Sequence, residues 1–145
     1  MVPLPGVLPL VLPLPPSDNH AHRIGQVRGH ACIVLTPGAR AWREEAQWTM
    51  KIWRRAVGWT VPERGAKVIA AITIWWPDRR VHDSGNLIKE LADAIKGILV
   101  VDDQWLLPRI MDWDLDRQHP RVVVALSCLV TAESKPAENT RSGTL

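Results

Sequence analysis

AKVIAAITIWWPDRRVHDSGNLIKELADAIKG, residues 66–97, contains the change of pattern that decides the fold. Residues 66–76 are apolar and rich in β-branched side chains (Val68, Ile69, Ile72, Thr73, Ile74), as a buried strand requires. Pro77 ends that run, and residues 78–85 read as a charged loop. From Asn86, the apolar Leu87, Leu91, Ala94 and Ile95 recur at helical spacing, with Gly97 where the helix should stop. Ile98 is expected to pack just beyond it.

Upstream, Thr36-Pro37 is a helix start, a capping hydroxyl followed by proline at the first helical position. Ala39, Trp42, Ala46, Met50, Trp53 and Val57 then form an apolar stripe, and Gly58 is a natural terminator. Residues 7–14 supply a first strand, confined to an edge or irregular by Pro9 and Pro13. Residues 20–30 read as a polar loop and 31–35 as a short strand. Downstream, 106–114 and 121–130 are expected to be strands. Adjacent strand residues point to opposite faces, so at least one of Trp75 and Trp76 should cover a helix or an interface. The order β, loop, α, β, α, β, β predicts an α/β fold: a single small domain with a mixed sheet packed by two main helices.

With 46% hydrophobic and 23% charged residues in 145, the chain suits one ordinary core and excludes a disordered class. The net charge of +3 permits an acidic partner such as nucleic acid without requiring one. Its distribution says more. Between residues 19 and 60, Arg23, Arg28, Arg40, Arg43, Lys51, Arg54 and Arg55 face only Glu44 and Glu45, whereas between 78 and 116 acids outnumber bases. A basic surface beside an acidic pocket suits a protein that grips a phosphate backbone and brings a metal to it. Ordinary solvated charge is the plainer explanation. Cys32 and Cys128 have no metal-ligand spacing, which points to free thiols in a reducing cytoplasm. Residues 1–16 are apolar but carry six prolines and no basic flank, so neither a membrane span nor a signal peptide is expected.

Asp83 lies just before the second helix, and Asp102-Asp103 follow soon after it. Carboxylates at the ends of elements are able to meet around one hard cation, Mg²⁺ or Mn²⁺, if the chain returns along the sheet. A helix cap and a turn are the plainer roles for the same residues. Lys89, near Asn86 and four residues before Asp93, reads either as one half of a surface pair or as a cation that steadies a phosphate. Asn86 reads as a cap, as a residue orienting a carboxylate, or both.

Residues 77–89, followed by Asp93-Ala94-Ile95 and then Asp102-Asp103, resemble the core of RusA-family Holliday junction resolvases, crossover junction endodeoxyribonucleases. That core has the form Asp-x-Asp-Asn-x-x-Lys, a helix with Asp-Ala-Leu, and a downstream Asp-Asp pair. The run Leu14-Pro15-Pro16-Ser17-Asp18-Asn19 is similar to the family's Pro-Pro-Ser-x-Asn motif, and Thr36, Ala39 and Trp42 fall where its first long helix begins. The resemblance covers 12–130, leaving 1–11 as a proline-rich leader or irregular first strand and 131–145 as a flexible polar tail. It implies a homodimeric α/β nuclease that binds branched DNA and cuts four-way junctions with Mg²⁺, Mn²⁺ being the alternative. Position by position, it implies that Asp83 and Asp103 are catalytic metal ligands and Lys89 the catalytic lysine. Asn86 matches the motif asparagine, while Asp102 (a further candidate ligand) and Asp93 match accompanying acids. By position and charge, Asn19, Arg23 and Arg28 are candidate DNA contacts; a turn-forming Asn and ordinary surface arginines are the alternative reading.

One position departs from the pattern. Gly85 stands where the family places a second metal-binding Asp, and glycine offers no ligand. Asp102, Glu90 or Asp93 is a possible substitute, with His82 a second choice at a hard-metal site. Two other readings stay open: a branched-DNA-binding protein with weakened or lost cleavage, and a structural or protein-interaction domain using its eight tryptophans for packing.

Overall fold

The computed structural model describes residues 8–16 and 22–129. The tail at 131–145, the start of the leader and Asn19 lie outside the described residues. The elements are β1 (Leu10–Pro13), β2 (His22–Val27), β3 (His30–Leu35), α1 (Pro37–Val57), β4 (Val68–Trp76), α2 (Ser84–Ile95), a short 3-10 turn (Asp103–Trp105), β5 (Leu106–Leu115) and β6 (Arg121–Cys128). The main sheet runs β1-β6-β4-β5. It is mixed, with β4 parallel to β5 and β6 antiparallel to both β4 and β1. This is a small α/β domain with two main helices, as the sequence pattern requires.

Local chemistry sets the helices. The Thr36 hydroxyl accepts from the Ala39 N–H at 3.3 Å, and Gly58 closes α1 at φ +72°, a conformation that favours glycine. The inward stripe of α1 is Ala39, Trp42, Ala46, Met50 and Trp53. Helix α1 packs against β1, α2 against β5, and the helices against each other. Leu10, Leu12, Met50, Ile72, Ile74, Leu91, Val122 and Val124 fill the core between helices and sheet. Three indole N–H groups tie the layers together, from Trp42 to the Pro13 carbonyl (2.9 Å), Trp53 to Leu8 (2.8 Å) and Trp59 to Leu99 (3.0 Å). Strand β1 is thus anchored to α1, and it starts at Leu10, inside the segment read as leader or irregular strand.

The two strand tryptophans divide as alternation requires. Trp76 is buried in the core, while Trp75 is half-buried on the opposite face under the Arg121 guanidinium, 4.6 Å from its ring centre. Ala71, Thr73, Val123 and Ala125 share that second face and are also half-buried. On β5, the N–H groups of Trp113 and Leu115 donate to the carboxylates of the preceding Asp112 and Asp114, at 2.8 and 2.7 Å. Asp116 closes the β5–β6 connection. Hydrogen bonds from the His119 N–H and the Arg121 side chain, in that order, hold its carboxyl below the usual range.

Three expectations need correction. Residues 22–27 are not loop: they pair with β3 as a hairpin whose two-residue turn, Arg28-Gly29, has φ of +51° and +78°. Gly25 makes that pairing possible, because a Cβ there would sit 2.7 Å from a Val34 methyl. The second helix starts at Ser84 rather than Asn86, and it is capped by Asp83. It ends at Ile95, with Gly97 (φ +80°) in the turn that follows. The last strand ends at Cys128; Val130 is outside the described residues. Both cysteines are free thiols, and among the described residues no helix is long and apolar enough to cross a membrane.

Candidate active site

The segment after β4 is folded on itself before α2 begins. The Asp78 carboxylate accepts the Arg80 N–H at 3.0 Å and lies 2.8 Å from Nε2 of His82. These two contacts, the backbone one first, hold Asp78 below the usual carboxylate range. The His82 ring in turn stacks on Trp76, with centres 4.2 Å apart and planes 7° from parallel. Asp83 follows, exposed, with Oδ1 accepting the Gly85 N–H at 2.9 Å as the helix cap. Its second oxygen has no capping role. Leu14 and Pro15, from the Pro-Pro segment, line a small cleft with Asp83 and Leu87. Asn86 and the exposed Lys89 are one turn apart on α2.

Asp102 and Asp103 lie beyond the other end of the same helix, after the turn that follows it. Asp102 caps the 3-10 turn by accepting the Gln104 N–H at 3.2 Å. A hydrogen bond with Asp103 is the first cause holding the Asp102 carboxyl below its usual range, followed by the Gln104 N–H and the charges of Lys96 and Arg64. The turn from α2 is tight, with the Gly97 N–H donating to the Val100 carbonyl at 2.7 Å. Next to this turn lies a basic groove of about 760 Å³ lined by Lys51, Arg54, Arg55 and Trp59.

The strand–helix–strand topology therefore separates the two acidic groups. Asp83 follows the carboxyl end of β4, whereas Asp102-Asp103 precede the amino end of the parallel β5. The twelve-residue α2 between them spans about 18 Å at ~1.5 Å per residue. Within one chain they do not meet around one ion, and among the described residues no group of three or more His, Cys, Asp or Glu side chains is placed to hold one. The donor chemistry, exposed hard oxygens, suits Mg²⁺; the donor count at either end of one chain does not close a site. Nor do the substitutes gather at Gly85. Asp102 is at the far end, His82 is engaged by Asp78 and Trp76, and Asp93 lies 3.8 Å from Arg43. Glu90 is fully buried and faces inward.

Glu90, a substitute ligand on the sequence reading, instead anchors a buried ion pair. It sits on the apolar face of α2 beside Leu87, Leu91 and Ala94, at 0% exposure. Its Oε2 takes the Arg43 guanidinium at 3.3 Å, and Nδ1 of His22 approaches Oε1 at 3.6 Å, beyond hydrogen-bond reach. The network joins α1, α2 and the base of the hairpin that carries the exposed Arg23 and Arg28. Removing one partner of a buried pair strands the other's charge, so Arg43→Met should cost about 3 kcal/mol. Its melting temperature should fall by about 10 °C in thermal unfolding. Adding Glu90→Leu should recover most of that loss; a double variant no more stable than the single would disprove the stranded-charge account.

The pattern of the family described as Endodeoxyribonuclease RusA matches residues 13–127, from the end of β1 almost to the end of β6. No curated protein matches the chain. The match takes in the capped α2 with Asp83, Asn86 and Lys89, the Asp102-Asp103 turn, and both helices of the α/β domain. The chain is a member of the RusA endodeoxyribonuclease family.

Proposed function

We propose that this protein is a Mg²⁺-dependent endonuclease that resolves four-way DNA junctions by paired phosphodiester hydrolysis, with Mn²⁺ as an alternative ion. The observation that carries the reading is the ordered Asp83, Asn86, Lys89 and Asp103 pattern inside a family match that spans residues 13–127. The separation of the acidic groups adds a requirement. A homodimer that lays the α2 amino end of one copy against the Asp102-Asp103 turn of the other brings both sets together, twice per dimer by symmetry. Two such sites suit two cuts in one junction. Mg²⁺ characteristically takes one or two carboxylates and leaves the remaining positions to water and phosphate, so it does not need a closed protein cage.

When bound, the ion supplies Lewis acidity toward the scissile phosphate. The protein's own groups do the rest. Asp83 and Asp103, with Asp102 beside them, provide the anionic oxygens. Lys89 offsets charge developing on the phosphate, and Asn86 fixes the helix face between Asp83 and Lys89. Arg23 and Arg28 on the hairpin hold the backbone without reading bases.

Incubation with synthetic four-way junctions and equal-length duplex at matched salt tests this. Paired nicks in the junction alone, abolished by EDTA and restored by Mg²⁺, are expected. Gly85 favours one second reading, a branched-DNA-binding protein with weakened cleavage. Tight, junction-selective binding without nicks in either Mg²⁺ or Mn²⁺ would favour it. Equal, weak binding to junction and duplex would instead indicate a structural or protein-interaction domain.

A further inference from the structure

We propose that a cleft beside the Asp83 loop receives one unstacked nucleobase of a branched DNA strand; the inference rests on the DNA-binding reading above. The cleft has a volume of about 530 Å³; Trp76, His82, Trp113 and Leu115 wall it, and Arg79 and Arg80 line it together with the Asp78 carboxylate, which is engaged by His82 and Arg80. Trp113 lies outside the hydrophobic core and leaves 59% of its surface exposed. The packing of the domain therefore does not account for it. The stacked Trp76–His82 pair forms a second aromatic element. Asp78 pins both His82 and the Arg80 backbone, so the wall is set before any ligand arrives.

The composition selects the ligand. A bare phosphate has no use for indole rings, and an aliphatic group has none for two arginines. A flat base flanked by phosphates uses both, stacking on aromatic rings while cations take the backbone. Bases in intact duplex are stacked on both sides, whereas a branch point interrupts the stack, so a base beside it leaves at lower cost. Ser84, the neighbour of Asp83, also lines the cleft, so a captured base sets its flanking phosphates beside the proposed carboxylate.

Equilibrium binding to a four-way junction and to equal-length duplex at one salt concentration tests the assignment, using wild type, Trp113→Ala and Trp113→Phe. Trp113→Ala should weaken junction binding by roughly tenfold and change duplex binding by less than about twofold, while Trp113→Phe keeps most of the affinity. A 2-aminopurine placed at the branch point should change its fluorescence on binding wild type but not Trp113→Ala. Thermal unfolding checks that the exposed ring is dispensable for folding. Unchanged junction affinity in Trp113→Ala, or an equal loss for junction and duplex, overturns the base pocket while leaving the DNA reading in place. Wild-type protein that binds no junction overturns both.

Discussion

Mixing Asp83→Asn subunits with Asp103→Asn subunits is expected to restore junction nicking that neither variant retains alone. Each substitution removes an anionic oxygen from the site and should lower Mg²⁺-dependent cleavage by on the order of a hundredfold or more. In the proposed dimer, with α2 and the turn after it separating Asp83 from Asp103 in one chain, a working site would draw one from each copy. A hybrid dimer then carries one doubly altered site and one intact site. After full exchange at equal concentrations, half of the dimers are hybrids, so about one quarter of the wild-type sites return. Their product should be single nicks rather than paired cuts. Exchange is verified with differently tagged copies. A fully exchanged mixture as inactive as its parents would show that the site is not shared between copies.

Restoring a carboxylate at position 85 should raise Mg²⁺-dependent cleavage by about tenfold or more, since a second anionic ligand beside Asp83 strengthens the hold on a hard cation. Gly85 is at the second position of α2 and has no positive φ, so its backbone admits a side chain. A Cβ there meets one neighbour, Oδ1 of Asp83 at 3.2 Å, which requires that carboxylate to shift by only a few tenths of an ångström. The first turn of α2 carries no acidic residue, so Gly85→Asp also gains about 0.3–1 kcal/mol from the helix dipole. Gly85→Ala makes the same push on Asp83 without adding a donor and should give no gain. If alanine and aspartate raise cleavage equally, helix rigidity explains the effect; if neither does while junction binding persists, position 85 is not the limiting defect.

The parts of the fold that announced themselves are those whose chemistry is local. Thr36, Pro37 and Gly58 bracket α1 by capping and backbone preference, and the β-branched run before Pro77 marks β4. The first turn of α2 was hidden because Ser84 and Gly85 are poor helix formers, and only the cap at Asp83 and the packing of Leu87 draw them in. Strand β2 was hidden for another reason. His22, Arg23, Gly25 and Gln26 give no apolar alternation, and pairing to β3 through the Arg28-Gly29 turn defines the strand.

For the candidate site, the acidic residues and their order stand in the sequence, but their placement in space does not. Twenty positions separate Asp83 from Asp103, which looks close along the chain. A parallel strand–helix–strand connection must carry the chain back to the other end of the sheet, and that turns closeness in sequence into distance in space. Glu90 did leave a signal, three residues after Leu87 and four before Ala94, on the face that the helical period buries. Its partners Arg43 and His22 come from elsewhere in the sequence and became visible only through packing.

The carboxylates of Asp112 and Asp114 have a consequence for assembly. By occupying the Trp113 and Leu115 N–H groups, they remove docking points that a foreign strand would use, and Pro108 on the same strand has no N–H to give. Such blunting guards an outermost strand against runaway polymerisation. At the opposite margin β1 is only four residues long and ends in Pro13. Both margins of the sheet thus resist being zipped to a further strand into one continuous ribbon.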